Sequence, residues 1–311
     1  MKKTRSLIIG SGVIGAYLSK LLLKKKHEIV VTSRSKKKIF KNYKKLNISK
    51  KVFFKKLNVL KKKEITKLLQ NIRPDNIFYM AGQSSIPKSY ILKEDTINSN
   101  FIGAKNFLEI LHQKKYKTKF FKANSGYIFK PKNGKINLNC KLIKPSNPYV
   151  YAQQKTYKFI KQFRQKKINC YNLLFMQIES PLRENSFLIK KVCLHAKKKK
   201  KVVVGNINTV RDYSWIEDIV NGIYYISFLK PCDLILSSGK RLSGKQILDF
   251  AYSFKKLNYK DYYSVDKKFF RENETKIVIG SNSFTKQKLK KFNWFPKIHG
   301  KKLVKKIYDS L

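Results

Sequence analysis

The chain has 311 residues, 42% of them apolar, enough for a sizeable core in one large domain or two modest ones. Its formal net charge is +53, but 63 of the 71 basic residues are lysines spread over every helical segment. That pattern lacks the localised, arginine-bearing patch with aromatic platforms that marks a nucleic-acid binder. Lysine, asparagine, isoleucine, phenylalanine and tyrosine share A/T-rich codons, so genome composition accounts for much of the excess. No segment reaches the ~20 uncharged apolar residues of a membrane span. The four cysteines, Cys140, Cys170, Cys193 and Cys232, have neither disulfide-framework nor metal-ligand spacing, so no metal is expected.

Along the chain, "MKKTRSLIIGSGVIG" starts with a basic patch and an apolar run, as a signal peptide would. Three glycines cut the run, which continues into an amphipathic helix pattern with no small-residue cleavage site. It reads as the first strand of the fold, in a cytoplasmic protein. "SLIIG", "EIVVTS", "VFFKKLNV" and "DNIFYMAG" are predicted strands separated by helix patterns. A long helical stretch (95–114), the strand "KTKFFKANS", the helix "YAQQKTYKFIKQF" and the strand "CYNLLFM" follow. Strands joined by helices of this length imply right-handed crossovers and a parallel sheet. The expected fold class is therefore α/β, a Rossmann-type doubly wound sheet with a smaller C-terminal region. Residues 1–180 form the cofactor-binding domain and 181–311 the substrate region, with excursions returning to the sheet.

"IIGSGVIG" places Gly10, Gly12 and Gly15 as G-x-G-x-x-G between a strand and a helix, with Ile14 inside the motif. The glycines serve the tight turn, the approach of a pyrophosphate and the packing of helix on strand. The second strand ends in "VTSRS" without the acidic residue that would bind a ribose 2′-hydroxyl. Arg34, followed by Lys36, Lys37 and Lys38, suits a 2′-phosphate, which favours NADP and leaves NAD possible.

The stretch "RPDNIFYMAGQSSIPKSYILKEDTINSNFIGAKNFLEIL" (73–111) resembles the extended short-chain dehydrogenases/reductases, the nucleotide-sugar epimerases and dehydratases. Within them it is most similar to the GDP-mannose 4,6-dehydratase family. The likeness continues through "ESPLRENSFLIKK" (179–191), "VVVGNINTVRDYSWIEDIV" (202–220) and the segment 265–297. It implies an NADP-dependent nucleotide-sugar dehydratase, with a GDP-hexose as substrate and a homo-oligomeric assembly. By resemblance, Asn58 and Val59 take the adenine position, and Ala81, Gly82 and Gln83 line the cofactor. Ser85 faces nicotinamide and sugar, while Lys191, Arg211, Arg271 and Glu274 grip the sugar nucleotide. Arginine forks suit a diphosphate and a carboxylate suits ribose hydroxyls.

The superfamily uses a tyrosine four residues before a lysine, and "YAQQK" supplies Tyr151 and Lys155 on one helix face, both also against the cofactor. An ammonium beside a phenol lowers its pKa towards working pH. Ser125 would then hold the sugar's 4-hydroxyl while Tyr151 takes its proton. The family usually carries the tyrosine directly after a proline, and here Pro148 is followed by Tyr149, so Tyr149 stays open as the alternative. A dehydratase of this family also carries a glutamate two residues after the catalytic serine or threonine; that position is Tyr127, which leaves Glu179 and Glu184 open as substitutes for the base. "SGYIF" is closer to the loop of 4-keto reductases and epimerases, the alternative activity.

Overall fold

The computed structural model describes residues 3–270 and 275–311. The N-terminal half alternates as the apolar runs require: β1 (Arg5–Ile9), α1 (Val13–Lys24), β2 (Glu28–Ser33), α2 (Lys36–Lys45), β3 (Phe53–Lys56), α3 (Lys62–Ile72) and β4 (Asn76–Tyr79). The single helix expected over 95–114 is interrupted. Preceded by α4 (Ile86–Ile91), it consists of α5 (Lys93–Ile97), a π turn at Asn98–Ile102 and α6 (Gly103–Gln113). π turns are rare and concentrate at functional positions.

The chain continues through β5 (Lys119–Ser125), β6 (Lys135–Ile136), α7 (Pro148–Gln165), β7 (Cys170–Phe175) and β8 (Gln177–Glu179). Shorter elements follow: α8 (Leu188–Lys197), β9 (Val202–Val204), β10 (Val210–Arg211), β11 (Tyr213–Trp215), α9 (Ile216–Ile226) and β12 (Asp233–Leu236). The last are β13 (Leu242–Ser243), α10 (Gly244–Ser253), β14 (Tyr263–Val265), β15 (Ile277–Gly280), α11 (Ser283–Lys288) and α12 (Gly300–Asp309).

The strands form a seven-stranded parallel sheet in the order β12-β7-β5-β4-β1-β2-β3. From β1 the order runs one way through β2 and β3 and the other way through β4, so the sheet reverses between β1 and β4. In open α/β sheets that switch point is where ligands bind, beyond the carboxyl ends of the strands. On one face, Leu7, Ile77, Tyr79 and Phe120 pack under Phe107, Leu108 and Leu111 of α6 and Ile160 of α7, all buried. Full burial of each such side chain contributes about 1.5–3 kcal/mol. On the other face Phe78, Phe121 and Tyr171 stack across β4, β5 and β7, with centroids 4.8 and 4.4 Å apart.

The chain divides into two compact units. The first comprises 1–130, 141–175 and 220–234; the second comprises 131–140, 176–219 and 235–311. In the second, β13, β10, β15 and β6 make a small mixed sheet. Buried Asp212 anchors it, accepting hydrogen bonds from the backbone N–H groups of Ser238 (3.0 Å), Gly239 (2.9 Å) and Gly280 (3.2 Å). Ser243 and Gln246 cap α10 reciprocally, each accepting from the other's backbone N–H at 3.1 and 2.9 Å.

Candidate active site

The glycine loop sits at the switch point. Gly10 has φ +98°, and a Cβ there would lie 2.7 Å from the Ala81 backbone, so both conformation and space demand glycine. A Cβ at Gly15 would lie 2.3 Å from the Gly10 carbonyl oxygen, which is how closely α1 packs on the loop. A Cβ on Gly12 would meet nothing within 4 Å. α1 starts there with no side chain capping its first N–H groups and no acidic residue in its first turn. Open approach, uncapped donors and the positive end of the helix dipole fit a dinucleotide diphosphate. Ile14, in that first turn, is half-buried.

The loop after β4 is the other wall. Gly82 would drive a Cβ to 2.1 Å from Asn100 Oδ1, so the close approach of Asn100 accounts for glycine here. Asn100, on the π turn, donates from Nδ2 to the carbonyls of Gln83 and Thr96, both at 3.0 Å. The Gln83 amide side chain donates to the carbonyl of Ser85 (2.8 Å) and the hydroxyl of Thr96 (3.2 Å). Ser85 caps α4, its hydroxyl oxygen accepting from the Lys88 N–H at 3.4 Å. At the outer end of the sheet, the N–H of Asn58 donates to Glu64 (3.0 Å) and Asn106 donates to the Val59 carbonyl (2.9 Å). Arg34, just past β2, is exposed and paired with Asp95 of α5 at 2.6 Å. The side chains of Lys36, Lys37 and Lys38 lie outside those described.

Ser125 ends β5 and is 3% exposed. Its Oγ accepts the Tyr127 N–H at 3.2 Å, which holds the hydroxyl at the mouth of the strand, and its own N–H donates to Asn124 Oδ1 at 2.8 Å. α7 is set by "SNP": Asn147 accepts the Val150 N–H at 2.9 Å and Pro148 takes the first helical position. That start decides which tyrosine meets Ser125. Tyr149, in the first turn, is half-buried, with the side chains of Ser125 and Gln153 near enough to act on its phenol. Burial raises its pKa, and those two contacts pull in the opposite direction.

The two residues expected from spacing lie on the outer face of α7. Tyr151 is 41% exposed, and Lys155 is also exposed, with its Nζ 5.5 Å above the Tyr151 ring. They make a solvent-facing pair because, in a helix entered at Pro148, positions 151, 155 and 158 form the outer stripe. Counting four residues from Tyr149 gives Gln153, not a lysine. Gln153 is buried, and its Nε2 donates to Asn100 Oδ1 at 2.9 Å. Asn124 reaches the Gln153 carbonyl at 3.3 Å, and the Thr156 hydroxyl reaches the Asn100 carbonyl at 3.0 Å. Ser125, Asn124, Gln153 and Asn100 thus form one hydrogen-bonded cluster, with Tyr149 beside it. Asn100 and Gln153, which join this cluster, were not singled out in the sequence. In the sequence the Y-x-x-x-K spacing points to Tyr151, and the proline before Tyr149 keeps that residue open as the alternative. Tyr127 is half-buried beside this cluster.

In the second unit, Lys191 donates to the Val203 carbonyl at 2.7 Å and lies 4.8 Å above the Phe269 ring. Arg211 is buried and donates to the carbonyls of Val210 (2.9 Å) and Lys276 (3.2 Å). Arg271 and Glu274 lie outside the described residues. Among the described residues no His/Cys/Asp/Glu group could hold a metal ion, and no helix is long and apolar enough to cross a membrane.

A parallel sheet with a glycine loop at its switch point is the frame of the extended short-chain dehydrogenases/reductases, the class of nucleotide-sugar epimerases and dehydratases to which the match below assigns the chain. The family model described as GDP-mannose 4,6 dehydratase matches residues 7–307. The chain belongs to that family. GDP-mannose 4,6 dehydratase 1 of Arabidopsis thaliana is 26% identical over 258 residues, 78% of this chain and 69% of the relative. The GDP-mannose 4,6 dehydratase of Dictyostelium discoideum is 23% identical over 331 aligned positions, 91% of this chain and 90% of the relative. Among solved structures, UDP-glucuronic acid 4-epimerase from Bacillus cereus, in complex with UDP-glucuronic acid and NAD, matches with a TM-score of 0.86. It is 17% identical, with 99% of this chain and 98% of that one covered, a likeness of fold.

Proposed function

We propose that this chain transfers hydride at C4 of a nucleotide sugar, in the reductive direction, as a 4-keto-sugar reductase with Tyr149 as its proton donor. One observation carries this reading: the tyrosine beside Ser125 is Tyr149, and the residue four positions on is Gln153. A lysine there would lower the phenol's pKa and make it a base. Burial without an ammonium keeps the phenol protonated, the state needed to protonate a carbonyl oxygen. Tyr127 in place of a glutamate agrees, since elimination needs a base for the C5 proton and reduction does not.

Gly10, Gly12, Ile14 and Gly15 would hold the cofactor's diphosphate, Asn58 and Val59 the adenine, and Ala81, Gly82 and Gln83 the remainder. Arg34 makes NADP the preferred form over NAD. When bound, the nicotinamide supplies or takes up the hydride at the sugar carbon. The Ser125 hydroxyl orients the sugar's C4 oxygen, and as the carbonyl carbon gains hydride that oxygen takes the Tyr149 proton. Tyr149 regains a proton from water. Ser85 faces the sugar, and Lys191, Arg211, Arg271 and Glu274 bind the nucleoside diphosphate, of which a GDP-hexose is the first choice.

The second reading, dehydration of GDP-mannose, is favoured by the family match over residues 7–307. Mass spectrometry separates the two. With NADPH, a GDP-4-keto-6-deoxyhexose is expected to gain two hydrogens, and GDP-mannose with NADP to stay unchanged. A GDP-mannose product lighter by one water would overturn the reductase in favour of the dehydratase. Gln153→Lys supplies a second expectation. With an ammonium one turn from Tyr149, the oxidative reaction at pH 7 should rise by about tenfold or more, because a downward shift of one unit multiplies the phenolate fraction by ten. A pH–rate profile identical to that of the unaltered enzyme would show that position 153 does not tune Tyr149.

A further inference from the structure

We infer that Asp95 is an internal competitor for Arg34 and thereby sets how strongly this chain prefers a 2′-phosphorylated dinucleotide; the inference rests on the cofactor reading above. Arg34 follows β2, at the end of the strand where the 2′ position of an adenine ribose is read in such sheets. Its guanidinium is already engaged in a forked contact, Nη1 at 2.6 Å and Nη2 at 3.5 Å from the two Asp95 carboxylate oxygens. These side chains are 67% and 35% exposed, so both the pair and its surroundings are open to solvent and to an incoming anion.

Two anions therefore contend for one fork. A 2′-phosphate brings more charge and three acceptor oxygens and can displace a carboxylate, but it does so against a partner already in place. A 2′-hydroxyl offers the guanidinium no comparable exchange, so the pair stays closed under NAD. Exposed ion pairs contribute little on their own, which makes this a tunable contact rather than a lock. Asp95 is also tied to the cofactor wall. Its carbonyl accepts the Ser99 hydroxyl at 2.6 Å, and Ser99 Oγ accepts the Gln83 N–H at 3.3 Å. This link runs through the Asp95 main chain, so exchange at its carboxylate leaves the Ala81–Gln83 loop in place.

The test reads binding, not turnover. Dissociation constants of NADPH and NADH, and of the fragments 2′,5′-ADP and 5′-AMP, are measured by calorimetry on the full chain and on Asp95→Asn, Arg34→Gln and the double variant. Asp95→Asn should tighten NADPH and 2′,5′-ADP about three- to tenfold and leave NADH and 5′-AMP within about twofold. Arg34→Gln should weaken the phosphorylated ligands, and in the double variant the gain from Asp95→Asn should vanish. Equal shifts for both ligand classes, or none, overturn the inference while leaving the cofactor site standing. Failure of the unaltered chain to bind either dinucleotide overturns the cofactor reading and this inference with it.

Discussion

Replacing Tyr149 by phenylalanine is expected to lower kcat by about 10³-fold, within the range that a positioned acid or base contributes. Tyr151→Phe and Lys155→Ala are expected to leave it within about twofold. The contrast follows from the start of α7. Asn147 and Pro148 set the first turn, so Tyr149 falls beside Ser125 and Tyr151 falls on the outer stripe with Lys155. The Tyr149 ring is retained in the phenylalanine variant, so packing is kept and only the proton-bearing oxygen is lost. KM for the sugar nucleotide should change less than about threefold, because the phenol acts mainly on the transition state. Steady-state kinetics on the three variants, with circular dichroism to verify folding, gives the answer. Loss of turnover in Tyr151→Phe with Tyr149→Phe unaffected would move the chemistry to the other tyrosine.

What could be read in advance divides along physical lines. The glycine loop was legible because its demands are local: one positive φ and two close backbone approaches force a short, recognisable spacing. The sheet was legible because buried parallel strands need continuous apolar runs between helices. The helix start at Pro148 was legible too, since asparagine before proline is a capping signal. The tyrosine was harder. In a chain with 63 lysines, a tyrosine followed four residues later by lysine carries little information, and only the helix phase shows which face is inward. The π turn that aims Asn100 at Gly82 and Gln153 leaves no periodic signature. The Arg34–Asp95 pair joins residues 61 positions apart, which only the tertiary arrangement of β2 and α5 can specify.

Lys122→Met is expected to stabilise the protein by roughly 3 kcal/mol at pH 7, raising Tm by several degrees, with the advantage shrinking as pH rises towards 10. Alternation along β5 turns residues 120, 122 and 124 to the face that carries α6 and α7, and Lys122 there is 1% exposed. Its Nζ donates to the Ala123 carbonyl and lies 5.3 Å above the Tyr79 ring. No carboxylate among the described residues pairs with it. Burial therefore pushes its pKa down from the ordinary 10.5 to about 7. Between those values the unfolded chain holds the proton and the folded chain does not, so stability rises with pH across the window. The penalty is in full force below about pH 7 and is gone above about 10.5. At ~1.36 kcal/mol per unit the whole shift converts to about 5 kcal/mol. Losing the carbonyl hydrogen bond and the cation–π contact brings the net gain down to roughly 3. Methionine has a similar unbranched stem and no charge, so the core need not repack. Thermal melts of both proteins at pH 7 and 9.5 test the linkage. A Tm difference that stays constant across that range would mean that Lys122 is not titrating in the folded state.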